Sequence, residues 1–125
     1  MQSIAKLDQA PSSAPDTSDI DGWVVVEGNP TMKTKALHTS KDGAMLSEIW
    51  EATPGTYYAP YSAYGFVHMP AGRIVITPDG GAPVTVQAGD AFVVENGYKG
   101  TWKIEEAVPN TLISSCEIAS VRADR

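Results

Sequence analysis

From Asp21 onward the chain is a succession of short apolar runs, rich in β-branched residues, each closed by Gly, Pro, Asp or Asn. WVVVEG, AMLSEIWEATPG, GFVHM, RIVIT, VTV, AFVV, GTWKIE and TLISSCEI are the strand candidates, and no segment sustains a helical period. Runs this short bury their apolar residues only when stacked side by side, so the chain is predicted to be all-β, a sandwich or barrel. Lys41-Asp42-Gly43 and Pro78-Asp79-Gly80-Gly81 carry the residue types of tight hairpin turns.

A chain of 125 residues suits one domain with a real core. Nine Lys and Arg against fifteen Asp and Glu leave a net charge of −6, and the basic residues are scattered. Nucleic acid and anionic membrane are therefore not expected partners, because both demand a positive stripe. Cys116 is the only cysteine, which rules out an intramolecular disulfide and fits a reducing, cytoplasmic setting. Its place in the alternating stretch LISSCEI reads as a small half-buried strand residue rather than a nucleophile. Residues 1–20 are rich in Pro and Ser and hold no apolar run fit for a signal peptide or membrane helix. They read as an extended arm, followed by a barrel over residues 21–119 and a tail over residues 120–125.

Two glycine-bounded segments fix the family. GTYYAPYSAYGFVHMPAG runs from Gly55 to Gly72 and GDAFVVENGYKGTW from Gly89 to Trp102. Together with GNP ahead of the first hairpin and W-E-x-x-P-G at Trp50 to Gly55, they resemble the small single-domain cupins grouped with the ureidoglycine aminohydrolase cupin domain and the ethanolamine-utilisation cupin. The resemblance covers roughly Trp23 to Cys116. It implies a cupin-type β-barrel, a jelly-roll-like double-stranded β-helix, commonly a homodimer in which an amino-terminal arm crosses to the neighbour. It also implies a divalent metal held by three histidines and a glutamate. Here those positions are Tyr61 and Ala63 for the first two histidines, Gly65 for the glutamate and Gly100 for the third histidine. No strong ligand stands at any of them, and the chain has only two histidines, His38 and His68, both elsewhere. No metal cofactor is expected at the usual cupin site.

Strand alternation indicates what replaces it. If Tyr61, Ala63 and Gly65 keep the inward phase of the family's ligands, Val67 and Met69 continue it, and Phe66 and His68 face out. Gly100 inward places Trp102 and Ile104 inward, with Lys103 and Glu105 in solvent. Tyr57, Tyr61, Tyr98 and Trp102 would then surround either a ligand pocket or a core of packed rings. The run TYYAPYSAY, with four tyrosines, is the candidate specificity loop. His68 is a candidate acid-base residue or, facing out, a structural histidine at a subunit interface; His38 is expected in solvent. Glu48 shares the phase of Trp50. Inward, it would be a carboxylate in an aromatic cavity with a raised pKa; outward, an ordinary strand residue. Catalytic candidates are thus His68, Glu48 and Tyr61.

The functional expectation is a metal-independent cupin that binds a small molecule in small-metabolite catabolism. The alternative is a hydrolase or isomerase acting on a nitrogen-containing or carbonyl metabolite through an unconventional site. A homodimer is the expected assembly.

Overall fold

The computed structural model describes residues 4–7, 20 and 22–116. The expected tail, and the expected arm apart from residues 4–7 and 20, lie outside the described residues. Ten strands are present among the described residues: β1 (Val24–Glu27), β2 (Met32–Thr39), β3 (Met45–Ala52), β4 (Gly55–Tyr58), β5 (Tyr64–His68), β6 (Arg73–Pro78), β7 (Val84–Gln87), β8 (Ala91–Val94), β9 (Gly100–Glu106) and β10 (Val108–Cys116). They form two antiparallel sheets, ordered β1-β4-β9-β6-β7 and β2-β3-β10-β5-β8. The inner faces of the two sheets share one core, built around Met32, Trp50, Val67, Met69, Ile74, Trp102, Ile104 and Val108. This is the all-β, jelly-roll-like arrangement of two facing sheets that the sequence predicts.

Two strands escape the sequence reading. β2, MKTKALHT, mixes lysines with small residues, and its Met32 and Thr34 are buried while most of the rest is half-buried or exposed. An edge strand carries such a weak apolar signal because one side pairs and the other meets water. β4 was expected in the tyrosine-rich mouth loop, yet Gly55–Tyr58 pairs with β9 and sets Tyr57 opposite Trp102.

The expected turns form, each for a local reason. At the β2–β3 hairpin Asp42 Oδ1 accepts hydrogen bonds from Ser40 Oγ at 2.7 Å and the Ala44 N–H at 3.0 Å, while Gly43 adopts a φ of 76°. At the β6–β7 turn the Gly81 N–H donates to the Pro78 carbonyl at 2.9 Å. Two of the signature segments also touch. The Pro30 ring of GNP covers Gly55 so closely that a Cβ there would come within 2.5–2.6 Å of three ring carbons. Gly55, at a φ of 146°, is thus held glycine by packing and backbone together.

Alternation holds along β5 and β9. Gly65 and Val67 face the core, and Met69, just past β5, is buried as well. Phe66 and His68 face out, with Phe66 42% exposed opposite Val93 at 59%. Gly100, Trp102 and Ile104 are buried, and Lys103 and Glu105 are exposed.

Candidate functional site

The interior that holds a metal in the family pattern is filled here by rings. Trp102 is fully buried, its ring centroid 5.0 Å from Trp23, 5.8 Å from Trp50 and 5.9 Å from Phe92. Tyr61 stacks on it at 6.1 Å with an interplanar angle of 19°. Trp50, on the inner face of β3, donates its indole N–H to the Met32 sulfur at 3.4 Å, and the same sulfur accepts the Ile20 backbone N–H at 3.3 Å. Ile20 in turn accepts the Trp23 N–H through its carbonyl at 3.1 Å. That chain of contacts fixes Trp23 against the Trp50 and Trp102 rings.

Tyrosines take the volume that ligand side chains would need. A Cβ built on Gly65 would lie 2.6 Å from Tyr61 Cε2, so the Tyr61 ring occupies the space above the family's glutamate position. A Cβ on Gly100 would lie 2.6 Å from the Tyr98 hydroxyl and 2.8 Å from Pro78 Cα. Backbone bonds hold Tyr61 in that place: its N–H donates to the Tyr98 carbonyl at 2.8 Å and its carbonyl accepts the Gly97 N–H at 3.1 Å. Phenol, methyl and hydrogen at these positions offer no imidazole or carboxylate, so the residues present do not fit a divalent metal there. Among the described residues no three His, Cys, Asp or Glu side chains gather into a metal-binding group.

Gly65→Ala is expected to push the Tyr61 ring aside at a cost of about 1 kcal/mol, since the contacted atom ends a side chain that can move. In a Tyr61→Ala background the same change should be close to neutral. Strict additivity of the two substitutions in urea unfolding would show that the ring is not seated over Gly65.

Above the rings lies a cleft of ≈ 380 Å³. Its floor is two cross-strand pairs from the inner faces of β3 and β10, Glu48 opposite Ile113 and Leu46 opposite Ser115. Trp23 and the Pro60–Ala63 segment wall it, and Ile20 and the β2–β3 hairpin close its rim. Of the sequence candidates, Tyr61 and Glu48 meet here. Glu48 faces inward, as one of its two readings has it. Tyr57 and Trp102 belong to the packed core, at 2% and 0% exposure, beneath the cleft. Tyr98 packs edge-on against Tyr61 at 6.0 Å, and its hydroxyl donates a hydrogen bond to the Thr101 carbonyl at 3.3 Å. His68 lies on the outer sheet face between Leu112 and Ala91, and His38 is exposed on β2. Neither reaches the cleft.

Ile20, Trp23, Leu46, Ile113 and Ser115 are among the lining residues that sequence reasoning missed, whereas Ser62 lies within the TYYAPYSAY run it singled out. Inward phase along LISSCEI would have found Ile113 and Ser115. Trp23 precedes its strand, where no period applies.

Burial, first of all, raises the pKa of the Tyr61 phenol well above the usual tyrosine value, and the charges of Tyr98 and Glu48 add to it. Tyr98 is pushed up to about 12, again mainly by burial, with Asp79 and Tyr58 contributing. In both cases the folded state holds its proton more tightly than the unfolded chain. The resulting stabilisation is complete below a pH of about 10, where unfolded tyrosines titrate, and is lost as pH rises toward 12 and beyond. Urea midpoints measured across the alkaline range are expected to fall from about pH 10 upward, more steeply in the wild type than in Tyr61→Phe. Identical alkaline profiles would exclude Tyr61 from the effect.

Known proteins place this architecture. Comparison of the sequence with curated proteins gives no match. Among solved structures, the chain is similar to the EutQ protein of Clostridium difficile at 16% identity and a TM-score of 0.63, covering 71% of this chain and 70% of that one. A Salmonella typhimurium LT2 protein named for ethanolamine utilization, EutQ, aligns at 15% identity and a TM-score of 0.60, covering 68% of each chain. A Pseudomonas syringae pv. tomato DC3000 protein of the DUF861 family, of unknown function, reaches a TM-score of 0.70 at 19% identity, over 87% of this chain but 46% of its own length. Such identities speak for the fold alone. The family model described as EutQ-like cupin domain matches residues 39–109, more than half of the sequence, and on that match the chain belongs to the EutQ-like cupin family.

Proposed function

We propose that the protein is a metal-independent cupin of the cytoplasm that binds a small molecule in the cleft above Tyr61. The observation that carries this reading is the position of the Tyr61 ring. It covers Gly65, and beside it lies a cleft of ≈ 380 Å³ lined by polar and apolar surface in nearly equal parts. Clefts of this size and composition suit small ligands. A role in small-metabolite catabolism follows the ethanolamine-utilization name of one structural neighbour and is proposed on that likeness.

One observation favours an enzyme instead. Glu48 and Tyr61 line the same cleft, and the Glu48 charge acts on the Tyr61 phenol. A carboxylate and a phenol so placed are able to pass a proton to or from a bound nitrogen or carbonyl group, as a hydrolase or isomerase requires.

Elemental analysis of untagged protein, followed by an NMR fragment screen that reports on the Trp23 indole, tests the reading. The expected result is metal far below one equivalent per barrel together with fragments that shift the Trp23 signal. Stoichiometric manganese, iron or zinc would overturn the metal-independent assignment. Fragments that are turned over rather than merely bound would favour the enzyme.

A further inference from the structure

We propose that the cleft selects monocationic ligands, small amines in their ammonium form, with Glu48 as counter-charge and the rings of Trp23 and Tyr61 as walls. This rests on the cleft being the ligand site and adds the charge it prefers.

Charge supplies the first argument. Glu48 sits on the cleft floor opposite Ile113, half-buried, and among the described lining residues it carries the only charged side chain. Ile20, Leu46, Pro60 and Ile113 provide hydrocarbon, and Ser62 and Ser115 provide hydroxyls. Glu48 already takes part in an interaction of its own, so an ammonium adds to it or competes with it rather than meeting a bare charge. The three N–H groups of an ammonium match one carboxylate and nearby hydroxyl oxygens, all of which accept.

Ring geometry supplies the second. The Trp23 and Tyr61 rings pack against each other, 6.1 Å apart at 52°, and both line the cleft, so a ligand there lies beside two aromatic rings. Such surfaces attract cations, more strongly where water is partly excluded. Third, the Glu48 charge contributes, after burial and Tyr98, to keeping the Tyr61 phenol protonated. A field that resists a second negative charge at this place favours a positive one and repels carboxylate ligands.

Benzylamine, benzyl alcohol and benzoate share a ring and nearly a size while being positive, neutral and negative at neutral pH. Each would be titrated into the full chain at low salt, by calorimetry and by NMR of the Trp23 indole N–H. Benzylamine is expected to bind about tenfold or more tightly than benzyl alcohol, with benzoate weakest. Glu48→Gln should weaken benzylamine by about tenfold and benzyl alcohol by much less, and added salt should act in the same direction as the substitution. The wild-type ranking stands by itself if that variant fails to fold. Benzyl alcohol or benzoate shifting Trp23 at concentrations as low as benzylamine would overturn the charge preference and leave the cleft as a ligand site. If none of the three shifts Trp23, both the preference and the cleft reading fail.

Discussion

Trp102→Ala is expected to destabilise the protein by about 3–5 kcal/mol, the range of a fully buried large aromatic cut back to a methyl. The ring is 0% exposed and touches Trp50 and Phe92 of the opposite sheet and Trp23 and Tyr61 of the cleft wall. Trp50 is tied to the Met32 sulfur and Trp23 to the Ile20 carbonyl, so those two rings would fill the void poorly, and poor collapse lies at the upper end of the range. Urea unfolding with a constant slope checks the figure. Trp102→Phe separates two causes. The indole N–H makes no hydrogen bond of good geometry among the described residues and has only the Tyr98 hydroxyl near it, so exchanging it for an all-carbon ring loses volume and at most a weak bond and should cost far less than alanine. A phenylalanine variant as unstable as the alanine one would mean that the N–H is bonded after all.

Adding matter at Gly100 is expected to be nearly as harmful as removing it at Trp102. The Cβ of Gly100→Ala would collide with the Thr77 carbonyl oxygen and come within 2.8 Å of Pro78 Cα, both backbone atoms of the strand paired with it. Neither can swing away as the Tyr61 ring can at Gly65, so β6 and β9 would have to part. We expect a loss of about 2–3 kcal/mol in urea unfolding, against about 1 for Gly65→Ala. Equal losses at the two glycines would refute the distinction between a backbone neighbour and a side-chain neighbour.

The same two glycines mark how far the sequence could be read. The signature segments set the phase of β5 and β9, because the spacing of their glycines is rigid and inward and outward residues then alternate without choice. Val67 and Trp102 fell inside, and Phe66 and Lys103 outside, for that reason. β3 was harder. Ile49 and Trp50 are adjacent yet 5% and 0% exposed, so both faces of this strand are covered and alternation alone could not say which way Glu48 points. The cleft was legible in half. Tyr61 could be placed from the motif, whereas Trp23 takes its position from a turn anchored on the Met32 sulfur, a contact between residues with no shared period. Nor could composition distinguish rings that form a wall from rings that fill a core. That depends on which tyrosine covers Gly65.

The order of strands has a consequence for how this chain is made. β9 is the middle strand of one sheet and β10 the middle strand of the other, and the two follow each other in sequence with Ala107 between them. Before residues 100–116 leave the ribosome, the remaining strands can pair only as four separate two-stranded ribbons, β1 with β4, β6 with β7, β2 with β3 and β5 with β8. Ribbons of that kind are marginal in water. Synthesis therefore runs almost to the end of the barrel before any sheet can close, and the valines of β1, 46–57% exposed even in the finished fold, wait through that interval with β4 as their one partner strand.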